Sequence, residues 1–414
     1  MTDLRIDTEP RLAADAPSGH GVAAGWKMGF VSQGDPSDIT GWSGINYFMT
    51  RALAGAGCQI VPIHGFKRTF SMGAWANKCW AKGVLRRYYE IERHPAVLRH
   101  YARQIEARTA ARELAAVFST GTHLTADCRT KAPLFFWADA TVPALFALYP
   151  GYGNFSKTAY REALESERRA VRNATAMFFS SAWAAKSAVQ DLQADPAKVH
   201  VVSFGANLEE EPAADAALAL AEARPRSRLV LLFAGVLWQR KGGAKALAIA
   251  QALAAAGVPV ELHLLGVDRS AVGHDPVPGG KNLAVHWHGR VSKATGAGRD
   301  KIAGLFAGAH FLLLPTVGDC TPMVFAEANA FAVPVATHRL GGIPSMISDG
   351  VNGRMFAPDS PPSEQAAWLA RVWQDQAGYL ALARGARAEY DARLNWRKAA
   401  TGVLDVVRRN IGRQ

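Results

Sequence analysis

The apolar residues of this chain fall into short solid runs rather than alternating ones. In the first half these runs are Lys27 to Ser32 (KMGFVS), Gln59 to Ile63, Val117 to Thr120, Leu134 to Trp137, Ala176 to Ser180 and Val199 to Ser203. In the second half they are Leu229 to Ala234, VELHLLG, AVHWHG, Phe311 to Leu314 and Pro334 to Ala336. Solid runs bounded by Gly, Pro and polar residues predict strands buried on both faces, as parallel strands are. Between them the pattern predicts helices, over Ile45 to Ala54, Ser156 to Arg172, and one long basic stretch from about Trp75 to Leu114. Alternating buried strands and helices predict an α/β fold with doubly wound parallel sheets.

The pattern breaks once. NLEEEPAADAALALAEARPRSR is acidic, then Ala-rich, then basic, with few large apolar residues. Residues 208–228 are therefore expected to connect two domains, 26–207 and 229–390. A chain of 414 residues suits two domains. Residues 1–25 are polar with two Pro and are expected to form a disordered lead-in. Residues 391–414 close the chain with an amphipathic helix. No run is long enough to span a bilayer and the start lacks a signal-peptide apolar core, so a cytoplasmic protein is expected. Cys58, Cys79, Cys128 and Cys320 are scattered without a CxxC, which argues against a disulfide framework or a zinc site.

The candidate chemistry lies where predicted strands give way to loops. After the run Phe311 to Leu314, a polar loop carries Asp319, and a helix beginning near Thr321 to Met323 carries Glu327. In open α/β sheets ligands bind outside the carboxyl ends of strands, where helix N-termini present N–H groups. Two acids around such a helix start suit a ligand with several hydroxyls and a phosphate. Gly235 follows another strand, and Arg240, Lys241, Gly242 and Gly243 are expected to open a helix. Two cations there suit a diphosphate. Gly44 opens the helix after the first strand, where a glycine lets backbone approach a ligand; a plain turn is its other reading. Asp139 ends a strand of the first domain, and acid–base work on an acceptor competes there with capping of the next turn alongside Thr141. His286 and His288 share one strand face and are read as packing residues rather than metal ligands.

With Asp319-x7-Glu327, the blocks PVATHRLGGIP and DGVNGRMF, and the Ser43-Gly44 pair, the chain resembles retaining glycosyltransferases of family 4 (glycosyl transferases group 1). The resemblance implies the GT-B fold: two Rossmann-like domains facing a central cleft, with a C-terminal helix crossing back to the first. It implies that Asp319 meets hydroxyls of the donor sugar. The backbone of Cys320, Thr321, Pro322, Met323 and Val324 would line the sugar and distal phosphate, and Glu327 would hold the ribose. The first acid is commonly Glu in the family; this chain has the shorter Asp319. Arg240 and Lys241 would hold the donor diphosphate, Arg290 and Val291 would lie beside the base, and Gly44 would sit in the first domain's glycine loop. The implied reaction moves a sugar from a UDP- or GDP-sugar to an acceptor hydroxyl (glycan, lipid-linked saccharide or small molecule), with retention and without cofactor or metal. Synthesis of a polysaccharide is the implied setting.

The formal net charge of +12 narrows the partners to polyanions, an anionic membrane or a phosphorylated substrate. The charge concentrates in 77–112, near Trp75, Trp80, Tyr88 and Tyr89. Basic residues with interfacial aromatics suit peripheral contact with the inner face of a membrane; a merely solvated helix is the alternative. No nucleic-acid motif accompanies the charge. Rival functions are a GT-B-shaped sugar-nucleotide epimerase and a non-catalytic module binding membrane or polyanion. A dinucleotide-dependent oxidoreductase would need GxGxxG after the first strand, where GDPSDITGWSG stands instead.

Overall fold

The structure is a computed structural model, and it describes residues 25–272 and 280–411. Residues 1–24, expected as a lead-in, and most of the predicted loop HDPVPGGKN lie outside the described residues. The first half runs β1 (Lys27–Val31), α1 (Ile45–Gly55), β2 (Gln59–Ile63), α2 (Met72–Gly83), α3 (Pro95–Ala110), β3 (Ala116–Thr120), β4 (Leu134–Ala138), α4 (Val142–Leu148), α5 (Lys157–Asn173), β5 (Ala176–Phe179), α6 (Ala182–Leu192) and β6 (Val199–Val201). The second half runs α7 (Ala214–Ala223), β7 (Leu229–Ala234), α8 (Trp238–Lys241), α9 (Gly243–Ala255), β8 (Val260–Leu265), β9 (Leu283–Gly289), α10 (Gly296–Gly308), β10 (Phe311–Leu314), α11 (Met323–Ala330), β11 (Val335–His338), β12 (Gly353–Phe356), α12 (Pro362–Gln374), α13 (Gln376–Arg393) and α14 (Trp396–Ile411).

These strands form two six-stranded sheets, in the orders β2-β1-β3-β4-β5-β6 and β12-β11-β10-β7-β8-β9. All strand pairs are parallel, as the solid apolar runs require. Phe30, Phe118, Phe135, Phe136, Leu231, Leu232, Leu312 and Leu313 are fully buried, so each sheet is covered on both faces. Each order reverses once, between β1 and β3 in the first sheet and between β7 and β10 in the second. Ser71, Thr141, Ser156, Ser181 and Thr295 each accept a backbone N–H at a helix start, which sets where α2, α4, α5, α6 and α10 begin.

Three stretches differ from expectation. The predicted basic helical stretch from about Trp75 to Leu114 divides into two helices, α2 and α3, separated by 84–94. Gly83 ends the first, Pro95 opens the second, and Arg86 between them takes a left-handed φ of 51°. The expected connection 208–228 is itself partly helical. It contains α7, whose Ala217 and Ala221 are buried against Ala332 and Ala383. The Arg224 side chain just after it donates to the carbonyls of Ala307, Phe331 and Ala332 and to Tyr379. The small side chains there allow a close approach between the helix and its partners. Arg240 and Lys241 lie in the one-turn α8 rather than at the start of α9. Between these helices Gly242 takes φ 76°, and a Cβ there would sit 1.9 Å from the Pro315 carbonyl oxygen.

Helix α14 leaves the second domain and packs into the first. Trp396, Ala399, Val403, Leu404 and Val407 share a buried cluster with Met28, Phe118 and Phe178. The Trp396 ring lies 5.8 Å from Trp137 and 5.6 Å from Phe204, and its Nε1 donates to Asn207 Oδ1 at 2.8 Å. Removing a buried aromatic side chain leaves a cavity and an orphaned partner, so Trp396→Ala should lower unfolding free energy by about 3–5 kcal/mol. Urea denaturation followed by circular dichroism checks this, and a loss below about 1 kcal/mol would show that α14 is not held by this packing.

Candidate functional site

The strands flanking the reversal of the second sheet, β7 and β10, deliver the charged residues. In such sheets the crevice opens where neighbouring connections run to opposite faces, which leaves their loops free to hold a ligand. The loop after β7 leads to Arg240 and Lys241, and the loop after β10 carries Asp319. Lys241 Nζ donates to Asp319 Oδ2 at 2.6 Å, and Arg240 Nη1 lies 3.4 Å from Asp319 Oδ1. Arg240 also donates to the Gly318 carbonyl at 2.7 Å, and Thr316 Oγ1 donates to the Arg240 carbonyl at 2.9 Å. Gly235 is part of this arrangement by its size: a Cβ there would meet Lys241 Cγ at 2.8 Å. The glycine thus makes room for the lysine stem. Two cations on one carboxylate leave a local excess of positive charge beside the start of α11, whose first N–H groups add to it.

The first domain closes over this cluster. Tyr149, just after α4, contacts Cys320 Sγ through its hydroxyl at 3.3 Å, and its ring lies 5.7 Å from the Arg240 guanidinium. Ser180 Oγ and Thr321 Oγ1 are 2.9 Å apart. Met323 packs against the buried cluster of the first domain, and Val324 against that of the second. The carboxyl ends of the two sheets therefore face each other. Burial pushes the Cys320 thiol up and keeps it protonated. Asp139, half-buried at the end of β4, belongs to the same group. Burial raises its carboxyl to about 6, and the nearby Asp319 carboxylate adds to the shift. Thr141 caps α4 by accepting from Ala144 at 3.3 Å, so the cap that competed for Asp139 is supplied by its neighbour.

Glu327 lies in α11, buried, and pairs with Lys293. Lys293 Nζ also donates to the Asn207 carbonyl at 3.1 Å, and Asn207 Nδ2 donates to the Ser43 carbonyl at 2.8 Å. Ser43 precedes Gly44, which takes φ 85° at the start of α1. This chain of contacts links the glycine loop of the first domain to the acid of the second. Pro322 is the residue before α11. Arg290 and Val291 fall after the end of β9 rather than within it; Arg290 is exposed, and Val291 packs partly on the second-domain core. Among the described residues neither is joined to the Asp319 cluster. The sequence reading missed Lys293, Asn207, Thr316 and Tyr149. Of these, Lys293 alone carried a signal, as a cation in the loop after a strand.

The shift at Asp139 has a measurable sign. Its folded pKa lies above the unfolded one, so its contribution to stability is complete below about pH 4 and is lost as pH rises through about 6. Asp139→Asn, neutral throughout, should gain on the wild type across that window, by about 3 kcal/mol at neutral pH. Denaturation of both proteins at the two ends of the window checks this. A constant difference between them would show that the carboxyl is not desolvated.

Residues 228–375 match the family described as Glycosyl transferases group 1. The chain is 31% identical over 111 residues to D-inositol 3-phosphate glycosyltransferase of Saccharomonospora viridis, covering 27% of this chain and 25% of that protein. Against the protein of the same name from Xylanimonas cellulosilytica it is 29% identical over 250 residues, 58% of each. The chain thus matches well under two thirds of the length of either relative. Among solved structures, sucrose-phosphate synthase from Thermosynechococcus elongatus superposes with a TM-score of 0.65 at 17% identity, covering 94% of this chain and 100% of that one. Anabaena HepE in complex with UDP-glucose gives 0.60 at 16% identity, covering 92% and 99%. The fold is GT-B, and residues 228–375, which carry Arg240, Lys241, Asp319 and Glu327, are the part of the chain that matches the glycosyl transferases group 1 family.

Proposed function

We propose that the chain is a glycosyltransferase that moves a sugar from a nucleoside-diphosphate donor to an acceptor hydroxyl, with retention of configuration and without a metal at the diphosphate. The observation that carries the reading is the convergence of Arg240 and Lys241 on Asp319 at the reversal of the second sheet. A donor diphosphate set against these cations would leave Asp319 to turn to sugar hydroxyls. Glu327 would exchange Lys293 for the ribose. As the bond from the anomeric carbon to the phosphate oxygen breaks, negative charge grows on the departing diphosphate, where the two cations stabilise it. The acceptor oxygen bonds to the same face of the anomeric carbon, and its proton passes to the departing phosphate oxygen. Asp139, with a carboxyl near 6, would orient the acceptor from the opposite wall. A UDP-sugar is the first donor to test, because HepE of the same fold is solved with UDP-glucose.

A second part of the proposal concerns location. No helix among the described residues is long and apolar enough to cross a membrane. Helix α2 and its flanks nevertheless expose Phe70 (76%), Met72 (76%), Trp75 (58%) and Trp80 (61%), far more apolar surface than a solvated helix needs to show. Lys78, Lys82, Arg86 and Arg87 lie among them, and an open groove of about 810 Å³ runs beside Phe70, Trp75, Lys78 and Lys82. Aromatics with cations at one surface fit the headgroup layer of an anionic bilayer, and the acceptor would be reached there.

Lys241→Ala should lower turnover more than donor binding, because leaving-group charge grows in the transition state. Glu327→Ala should weaken nucleotide binding by roughly 2–3 kcal/mol, the scale of hydrogen bonds to a charged group. Donor hydrolysis and calorimetry measure the two; full turnover in Lys241→Ala in the presence of EDTA, or unchanged UDP and GDP binding in Glu327→Ala, would remove the reading.

For the patch, the wild type should co-sediment with vesicles of anionic phospholipid at low salt and be released as salt rises. A variant with Lys78, Lys82, Arg86 and Arg87 all changed to Glu should stay in the supernatant, each lost cation costing about 1 kcal/mol. A wild type that never sediments would leave the patch without a membrane role.

A further inference from the structure

We propose that the outer edge of the second sheet holds a divalent transition-metal site, built by Glu261, His263 and His286 and oriented by His288. The expectation that His286 and His288 merely pack took them as a pair on one strand. The structure adds two residues of the neighbouring strand. β9 is the edge strand and β8 its neighbour. His263 stands directly opposite His286, and Glu261 lies two residues before His263 on the same face. The register shifts after Leu264 and Trp287, so that Leu265 pairs with Gly289 and His288 is the extra residue. Such a bulge swings its residue out of the regular alternation. It brings His288 Nε2 to 2.9 Å from His263 Nδ1.

The three imidazoles stack, with ring centroids 4.7 Å apart for His263 and His286 and 5.2 Å for His263 and His288. One donor atom each from Glu261, His263 and His286 lies within 4.8 Å of the other two. Four-coordinate zinc, with bonds of about 2.0–2.1 Å, sets its ligand atoms about 3.3 Å apart, so small side-chain rotations close the site. The 2.9 Å contact needs one ring to donate and the other to accept. With His263 donating from Nδ1, its Nε2 is left to ligate an ion beside Glu261 Oε2, 3.7 Å away. His288 then does for His263 what the outer partner of a metal-bound histidine does, fixing its tautomer and ring plane.

Two imidazoles and a carboxylate suit zinc and its neighbours rather than magnesium or calcium, which prefer all-oxygen sites. His286 is exposed and the other three are half-buried, so an ion reaches the site from solvent and a water completes its shell. The ion would fasten edge strand β9 to β8 at the end that leads into Arg290 and Val291. The inference stands on the geometry of the two strands and does not depend on the proposed transfer reaction.

The test is calorimetric titration of the full, chelator-stripped chain with Zn²⁺, repeated with Co²⁺ under visible spectroscopy and with Mg²⁺. The wild type should bind one equivalent of Zn²⁺ that His286→Ala does not, and Co²⁺ should give a visible absorption band that the same substitution removes. His288→Ala should bind the same equivalent roughly tenfold to hundredfold more weakly, as loss of an outer partner does. Mg²⁺ should give no heat that depends on these residues. His286 is on the surface, so its variant folds as the wild type does, which circular dichroism verifies. Equal Zn²⁺ stoichiometry and affinity in the wild type and in His286→Ala would overturn the site and leave the histidines as a packed stack.

Discussion

Everything proposed for the cleft depends on the reversal of strand order between β7 and β10. Because these strands are hydrogen-bonded neighbours, the loops that follow them emerge side by side, although Lys241 and Asp319 are far apart in the chain. Their connections run to opposite faces of the sheet, which leaves a crevice with no helix crossing it. Asp319 accepts both cations there, and the backbone around it is fastened to α8 through Thr316 and Gly318. Gly235 and Gly242 are what the arrangement demands of the backbone: one clears space for the Lys241 stem, the other lets α8 turn into α9 over the end of β10.

A second constraint ties the two sheets into one machine. α14 carries its apolar face into the core of the first domain, with Trp396 stacked among Trp137 and Phe204. Asn207 stands where the chain passes between domains. Its side chain receives Trp396 Nε1 and donates to the Ser43 carbonyl, while its own carbonyl receives Lys293. One residue therefore couples the returning helix, the glycine loop of the first domain and the partner of Glu327.

The surface divides by chemistry. Near the first sheet, α2 exposes aromatics and cations together, a composition that water alone does not favour. At the far edge of the second sheet, imidazoles face one another across two strands. Both features lie outside the Asp319 cluster, and the ligands proposed for them differ: an anionic surface in one case, a cation in the other.

Much of this was legible in the sequence. Solid apolar runs such as Phe311 to Leu314 have no polar face to show to water, so they had to be buried parallel strands, and their alternation with helices predicted the two sheets. Arg240, Lys241, Asp319 and Glu327 could be picked out as candidates because ligands of such sheets bind outside the carboxyl ends of strands. Other features were decided only in three dimensions, because they depend on which strands become neighbours. That Lys293 pairs with Glu327, that Asp139 sits in the field of Asp319, and that a bulge sets His288 against His263 are consequences of register and strand order, which hydrophobic periodicity does not encode. The packing of helix α7 was hidden for a related reason. Alanines look like a weak core until the partner they approach is known, and Ala332 and Ala383, which complete that contact, lie more than a hundred residues away along the chain.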